Sequence, residues 1–207
     1  MNFGFGKDWK ELRKFEKLTD KVRPIVFYAE NKASINHFKL LISELTEEKN
    51  LQICYVTSVK NDPMLSSKNK NIFTFYIGDG TARTKFFLTL KAKILIMDMP
   101  DLEIFHIKRS KVYPVHYVYI FHSMFSIHSY LRKGAIDNYD TIFCVGEHHK
   151  KEIRETEKVY GLKPKKLITY GFGRLDTLLH EKQKFSQTNT DNNKLIIIAP
   201  SYGKDNL

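Results

Sequence analysis

Stretches such as Pro24-Ile25-Val26-Phe27-Tyr28-Ala29 and Gln52-Ile53-Cys54-Tyr55-Val56 are apolar at consecutive positions rather than at alternate ones. A strand with one face in water alternates polar and apolar residues, whereas a strand covered on both faces does not need to. The same pattern recurs at 72–77, 92–97, 116–121, 141–145 and 166–170. Helical periodicity fills several of the gaps. Ile35, Phe38, Leu41, Ile42 and Leu45 mark an inner face over 33–48, a second helix is expected near 81–90, and a strongly charged one at 147–160. The segment 61–71, with Pro63 and Ser66-Ser67, reads as a loop. Strands alternating with helices predict an α/β fold, a Rossmann-like doubly wound parallel sheet spanning about residues 22–180.

Composition narrows the class further. The 207 residues are 42% hydrophobic and 28% charged, which suits a globular domain with a substantial core and excludes disorder over most of the length. Lys and Arg outnumber Asp and Glu by 34 to 23, so anionic partners are expected. Cys54 and Cys144 each sit in an apolar run and predict buried thiols rather than a disulfide or zinc site. The first nine residues contain no apolar core of a signal peptide, and no run is long enough to span a bilayer. A cytoplasmic location is expected, and neither a metal nor a cofactor site is visible.

The two ends differ from the middle. Over residues 1–21 an amphipathic helix is expected, because Trp9, Leu12, Phe15 and Leu18 recur every three residues between lysines. It either docks on the domain or lies on an anionic membrane surface with Trp9 and Phe15 as anchors. Residues 181–193 are polar and read as a linker, and 194–207 as the opening strand of a second, incomplete nucleotide-binding domain.

Ligands of open α/β sheets bind beyond the carboxyl ends of the strands. Phe121-His122-Ser123 ends one strand, so His122 is either a general base or a histidine hydrogen-bonded in the crevice. His128 is either its helper or helix surface. Gly78-Asp79-Gly80-Thr81-Ala82-Arg83 is a tight turn or a phosphate cradle, with Arg83 as the phosphate contact. Gly171-Phe172-Gly173-Arg174-Leu175-Asp176 offers backbone access, a phosphate-gripping Arg174 and a helix-capping Asp176, or else an interdomain turn. Asp98 and Asp101 flank a proline and form a turn, or hold a metal or sugar hydroxyls. His148 and His149 point about 100° apart on a helix and cannot readily share a metal. The basic clusters 108–111 and 163–166 lack interleaved aromatics, so nucleic acid is disfavoured as a partner.

Three segments together resemble the CDP-glycerol glycerophosphotransferase family, which builds teichoic-acid-like polymers on a two-domain GT-B scaffold. Tyr119-Ile120-Phe121-His122-Ser123 is similar to the family's strand ending in Trp-His-Gly. Gly171-Phe172-Gly173-Arg174-Leu175-Asp176 is similar to its Gly-Tyr-Pro-Arg-Asn-Asp turn. Ala199-Pro200-Ser201-Tyr202-Gly203-Lys204-Asp205-Asn206 is similar to its Ala-Pro-Thr-Trp-Arg-Asp-Asn segment. Ser123 stands where the family has glycine, and Gly203-Lys204 where it has arginine.

The resemblance implies the acceptor-side half of such an enzyme. His122 would be the catalytic base, and Ser123, Gly171, Arg174 and Asp176 would bind substrate, joined by Arg83, which is expected there from its own turn and not from the resemblance. The donor would be CDP-glycerol or a related nucleotide, and the acceptor an anionic polymer or lipid-linked hydroxyl, met at the inner face of the cell membrane. Two alternatives stay open on sequence: a sugar-nucleotide-dependent glycosyltransferase of the same fold, or a non-catalytic domain that binds anionic polymer, membrane or a partner chain.

Overall fold

A computed structural model describes residues 6–188. The chain forms two compact units, Met1–Arg174 and Leu175–Leu207. The first unit is built on a seven-stranded sheet, parallel throughout. Its strands are β1 (Ile25–Ala29), β2 (Ile53–Thr57), β3 (Ile72–Tyr76), β4 (Ile94–Met97), β5 (His116–Ile120), β6 (Thr141–Cys144) and β7 (Lys166–Thr169). They lie in the order β3-β2-β1-β4-β5-β6-β7. The chain therefore reverses direction across the sheet between β1 and β4, which places a crevice at their carboxyl ends.

The consecutive apolar runs are explained by two cores, one on each face. Along β1, Val26 and Tyr28 point into one, and Phe27 and Ala29 into the other. The larger core is covered by α1 (Lys7–Glu16), α3 (Thr81–Thr89) and α4 (Glu147–Tyr160). The smaller is covered by α2 (Ser34–Ser43) through Phe38 and Ile42, and the helical path continues as a π-turn over Glu44–Glu48. Cys54 and Cys144 are buried free thiols, and burial pushes them up to about 12 and about 11.

The membrane reading of α1 is corrected here. Leu12 and Phe15 are buried in the larger core, and Trp9 packs beside them. The Phe15 ring meets Phe75 at 5.5 Å and Phe86 at 5.3 Å, both edge-on. Each buried side chain contributes about 1.5–3 kcal/mol to docking, so the apolar stripe is used inside the domain. Among the described residues no helix is long and apolar enough to cross a membrane.

The polar stretch expected to be a linker begins as helix instead. The last described element, α5 (Gly173–Thr188), runs through residues 182–188. It contains no proline and no glycine after Gly173, so nothing in it interrupts a helix. The expected strand at 194–199 and the segment 199–206 lie outside the described residues.

Candidate functional site

The crevice at the β1/β4 switch point holds a cleft of about 340 Å³. Glu30 and His37 line it from the connection after β1, Asp98 and Asp101 from the end of β4, His106 from the following loop, and His122 from the end of β5. Three acids and three imidazoles thus converge where the topology predicts a ligand. Among the described residues no group of three or more His, Cys, Asp or Glu side chains could hold a metal ion.

His122 sits two residues beyond β5 and is half-buried. Its Nδ1 lies 3.4 Å from the Tyr119 hydroxyl, and its ring stands edge-on to Tyr130 at 5.3 Å. Burial holds the Tyr119 phenol far above its ordinary range, so it remains an uncharged O–H. If Nδ1–H donates to the Tyr119 oxygen, Nε2 carries the lone pair a general base requires.

Asp98 is the first residue after β4 and is buried. Desolvation raises its carboxyl from 3.8 to about 6, opposed by a 3.0 Å hydrogen bond from the buried Ser34 hydroxyl and by the neighbouring His122. The folded state therefore holds the extra proton between those two values, and above about pH 6 it carries a buried charge that weakens it. Asp98→Asn keeps an acceptor for Ser34 and removes that charge. The variant is expected to gain about 2–3 kcal/mol at pH 8, with the gain closing as pH falls toward 4. Thermal melting across that pH range checks it, and a gap independent of pH would contradict it.

His37, on the first turn of α2, went unremarked in the sequence because Ile35, Phe38 and Ile42 around it read as an ordinary inner face. It is buried, and its Nδ1 has no hydrogen-bond partner. Desolvation, with His122 and Arg174 nearby, lowers it to about 4, so it is neutral at physiological pH. Its ring lies 6.1 Å from that of His122 and 6.3 Å from Phe172.

The other expected site residues are distributed unevenly. Arg83 does not line the cleft; its guanidinium, 13% exposed, binds Glu30 at 2.9 Å. The Gly78 turn faces α1, with a φ of 63° that glycine accommodates. Ser123 accepts a hydrogen bond from the Phe125 N–H at 3.3 Å and so shapes the loop after His122. Gly171 has a φ of 86°, which explains the glycine, and Arg174 is exposed close enough to His37 to act on it electrostatically. Asp176 lies inside the first turn of α5 rather than at its cap position, and it is exposed. Asp101 adopts a left-handed φ of 69° and holds Arg132 at 2.8 Å. His128 is exposed on a short 3₁₀ turn.

His148 and His149 have a role that sequence did not reveal. His148 Nε2 contacts the Met124 carbonyl at 3.0 Å, and His149 Nε2 the Phe125 carbonyl at 2.8 Å. Glu152 accepts from the Ile127 N–H at 2.8 Å. The first turns of α4 therefore fasten the loop that follows His122. A second cavity, about 270 Å³, runs beside α4, with a lining that mixes aliphatic side chains such as Ile127, Leu131 and Ile153 with charged ones. Its buried charges Glu157 and Lys165 face one another. The cleft, with its convergent titratable groups, is the better candidate for chemistry.

No protein-family model matches the chain, and no curated protein matches its sequence. What stands on structure is the fold: a seven-stranded, all-parallel, doubly wound α/β domain.

Proposed function

We propose that this domain is the acceptor-binding part of a glycerophosphotransferase that uses CDP-glycerol. An acceptor hydroxyl enters the cleft and attacks the phosphorus that bears glycerol. The new acceptor O–P bond forms as the bond between that phosphorus and the CMP oxygen breaks, and CMP leaves with the electron pair. His122 Nε2 takes the proton from the attacking hydroxyl.

The observation that carries this reading is the placement of His122: a half-buried imidazole, backed by an uncharged tyrosine, on the wall of a switch-point cleft. The three segments that resemble the family supply the choice of donor. Charge on the phosphates would be met at the rim by Arg174, since Arg83 is held by Glu30.

The test supplies the full-length protein with CDP-glycerol labelled in the glycerol and a glycerol-phosphate-primed acceptor. CMP and acceptor-bound label are expected to appear in equal amounts. CMP release without label on the acceptor, or turnover of sugar nucleotides in its place, would overturn the assignment.

A further inference from the structure

Resting on that reading but testable apart from it, we infer that the cleft holds a hydroxyl-binding pocket in which His37 and His122 bracket one oxygen of a neutral polyol or sugar end. His37 is then a substrate-contacting residue as well as part of α2.

Three independent observations converge. First, the rings of His37 and Tyr130, whose centroids lie 6.1 and 5.3 Å from that of His122, each carry a buried polar atom with no hydrogen-bond partner, the His37 Nδ1 and the Tyr130 hydroxyl. Buried polar groups are nearly always paired, so such atoms beside a candidate base mark a place where ligand or water completes the bonding. Second, the spacing suits a bridging oxygen. A direct N–H···N bond between two imidazoles brings their centroids to about 5 Å, whereas these stand 6.1 Å apart and inclined by 59°. One oxygen about 2.8 Å from a nitrogen of each ring spans that gap along a bent path. Third, the charges favour a neutral ligand. The guanidinium groups of Arg83 and Arg132 are held by the lining acids Glu30 and Asp101, at 2.9 and 2.8 Å. Asp98 adds a further acid that a phosphate dianion would face at close range.

The chemistry follows from the two rings' different situations. His37, kept neutral by burial, donates one N–H to a lone pair of the bound oxygen without competing for its proton. The hydroxyl's own hydrogen is then directed at His122. Phosphate, if the acceptor carries it, lies outward toward Arg174.

The experiment uses the intact protein with isotope-labelled histidine and follows the imidazole resonances. sn-Glycerol 3-phosphate is the probe, and inorganic phosphate at equal concentration is the control for charge. His37 and His122 signals are expected to move saturably with one shared midpoint in glycerol phosphate, and to stay in place with phosphate. His37→Asn should raise the midpoint read at His122 about tenfold, as the loss of one well-placed hydrogen bond would. His37→Gln serves if the asparagine variant melts early. Movement of His122 alone, the same response to phosphate, or no response at all would each overturn the inference. In transfer assays His37→Asn should raise KM for the acceptor more than it lowers kcat. If no transfer is found but the two imidazoles still respond together, the pocket stands and the glycerophosphotransferase reading falls.

Discussion

Replacing His122 with alanine is expected to reduce glycerol-phosphate transfer by about 100- to 10,000-fold, the usual contribution of a positioned general base. Stability should change little. The ring is half-buried, its contact to the Tyr119 hydroxyl is long at 3.4 Å, and the loop that carries it is fastened elsewhere, by His148, His149 and Glu152. The loss should therefore appear in kcat while the melting temperature stays close to that of the parent. His122→Gln keeps a polar side chain but cannot act as a base, so it should be as inactive as alanine. Tyr119→Phe should cost less, because it removes only the partner that selects the tautomer. Transfer that survives in His122→Ala would show that another group takes the proton, and His37 cannot easily be that group, since burial disfavours its protonated form.

The parts of this site differed in how legible they were, for physical reasons. The strands could be read because burial on both faces removes the need for polar alternation, and that requirement is local. His122 could be read because the end of an apolar run is itself a local signal. The order of the strands could not, because it depends on which helices pack where, and with it went the position of the switch point between β1 and β4. Asp98 looked like part of an Asp-Pro turn, and only its burial against Ser34 shows otherwise. His37 is the clearest omission. It shares a helix face with Phe38 and Ile42, and nothing in a linear pattern separates a histidine aimed at a core from one aimed at a crevice. His148 and His149 are expected to diverge on their helix, yet their ring centroids lie 4.3 Å apart, and their bonds to Met124 and Phe125 join residues more than twenty positions apart, which no local pattern reveals. Arg83 shows the converse: a turn that resembles a phosphate cradle places its arginine on an acid of the same chain.

The largest stability effect should come from a residue of a highly charged helix. Glu157 lies in the last turns of the highly charged α4, yet it is 5% exposed. One carboxylate oxygen accepts the Lys165 backbone N–H at 2.8 Å, and the other binds Arg154. The Lys165 ammonium, equally buried, stands 3.9 Å from the first oxygen. Glu157→Ala therefore strands a buried cation and a buried backbone donor together, and is expected to cost about 3–5 kcal/mol in urea unfolding. The damage should begin at the edge of the sheet, because this cluster anchors the segment that leads from α4 through Gly161, whose φ is 61°, into β7. Replacing both partners, Glu157→Leu with Lys165→Met, should recover much of the loss, since an apolar pair needs no counter-charge. Well below the melting temperature, transfer by the single variant should be nearly unchanged, which separates this cluster from the cleft. A cost under about 1 kcal/mol would mean that Lys165 reaches water through the adjoining 270 Å³ cavity once its carboxylate is gone.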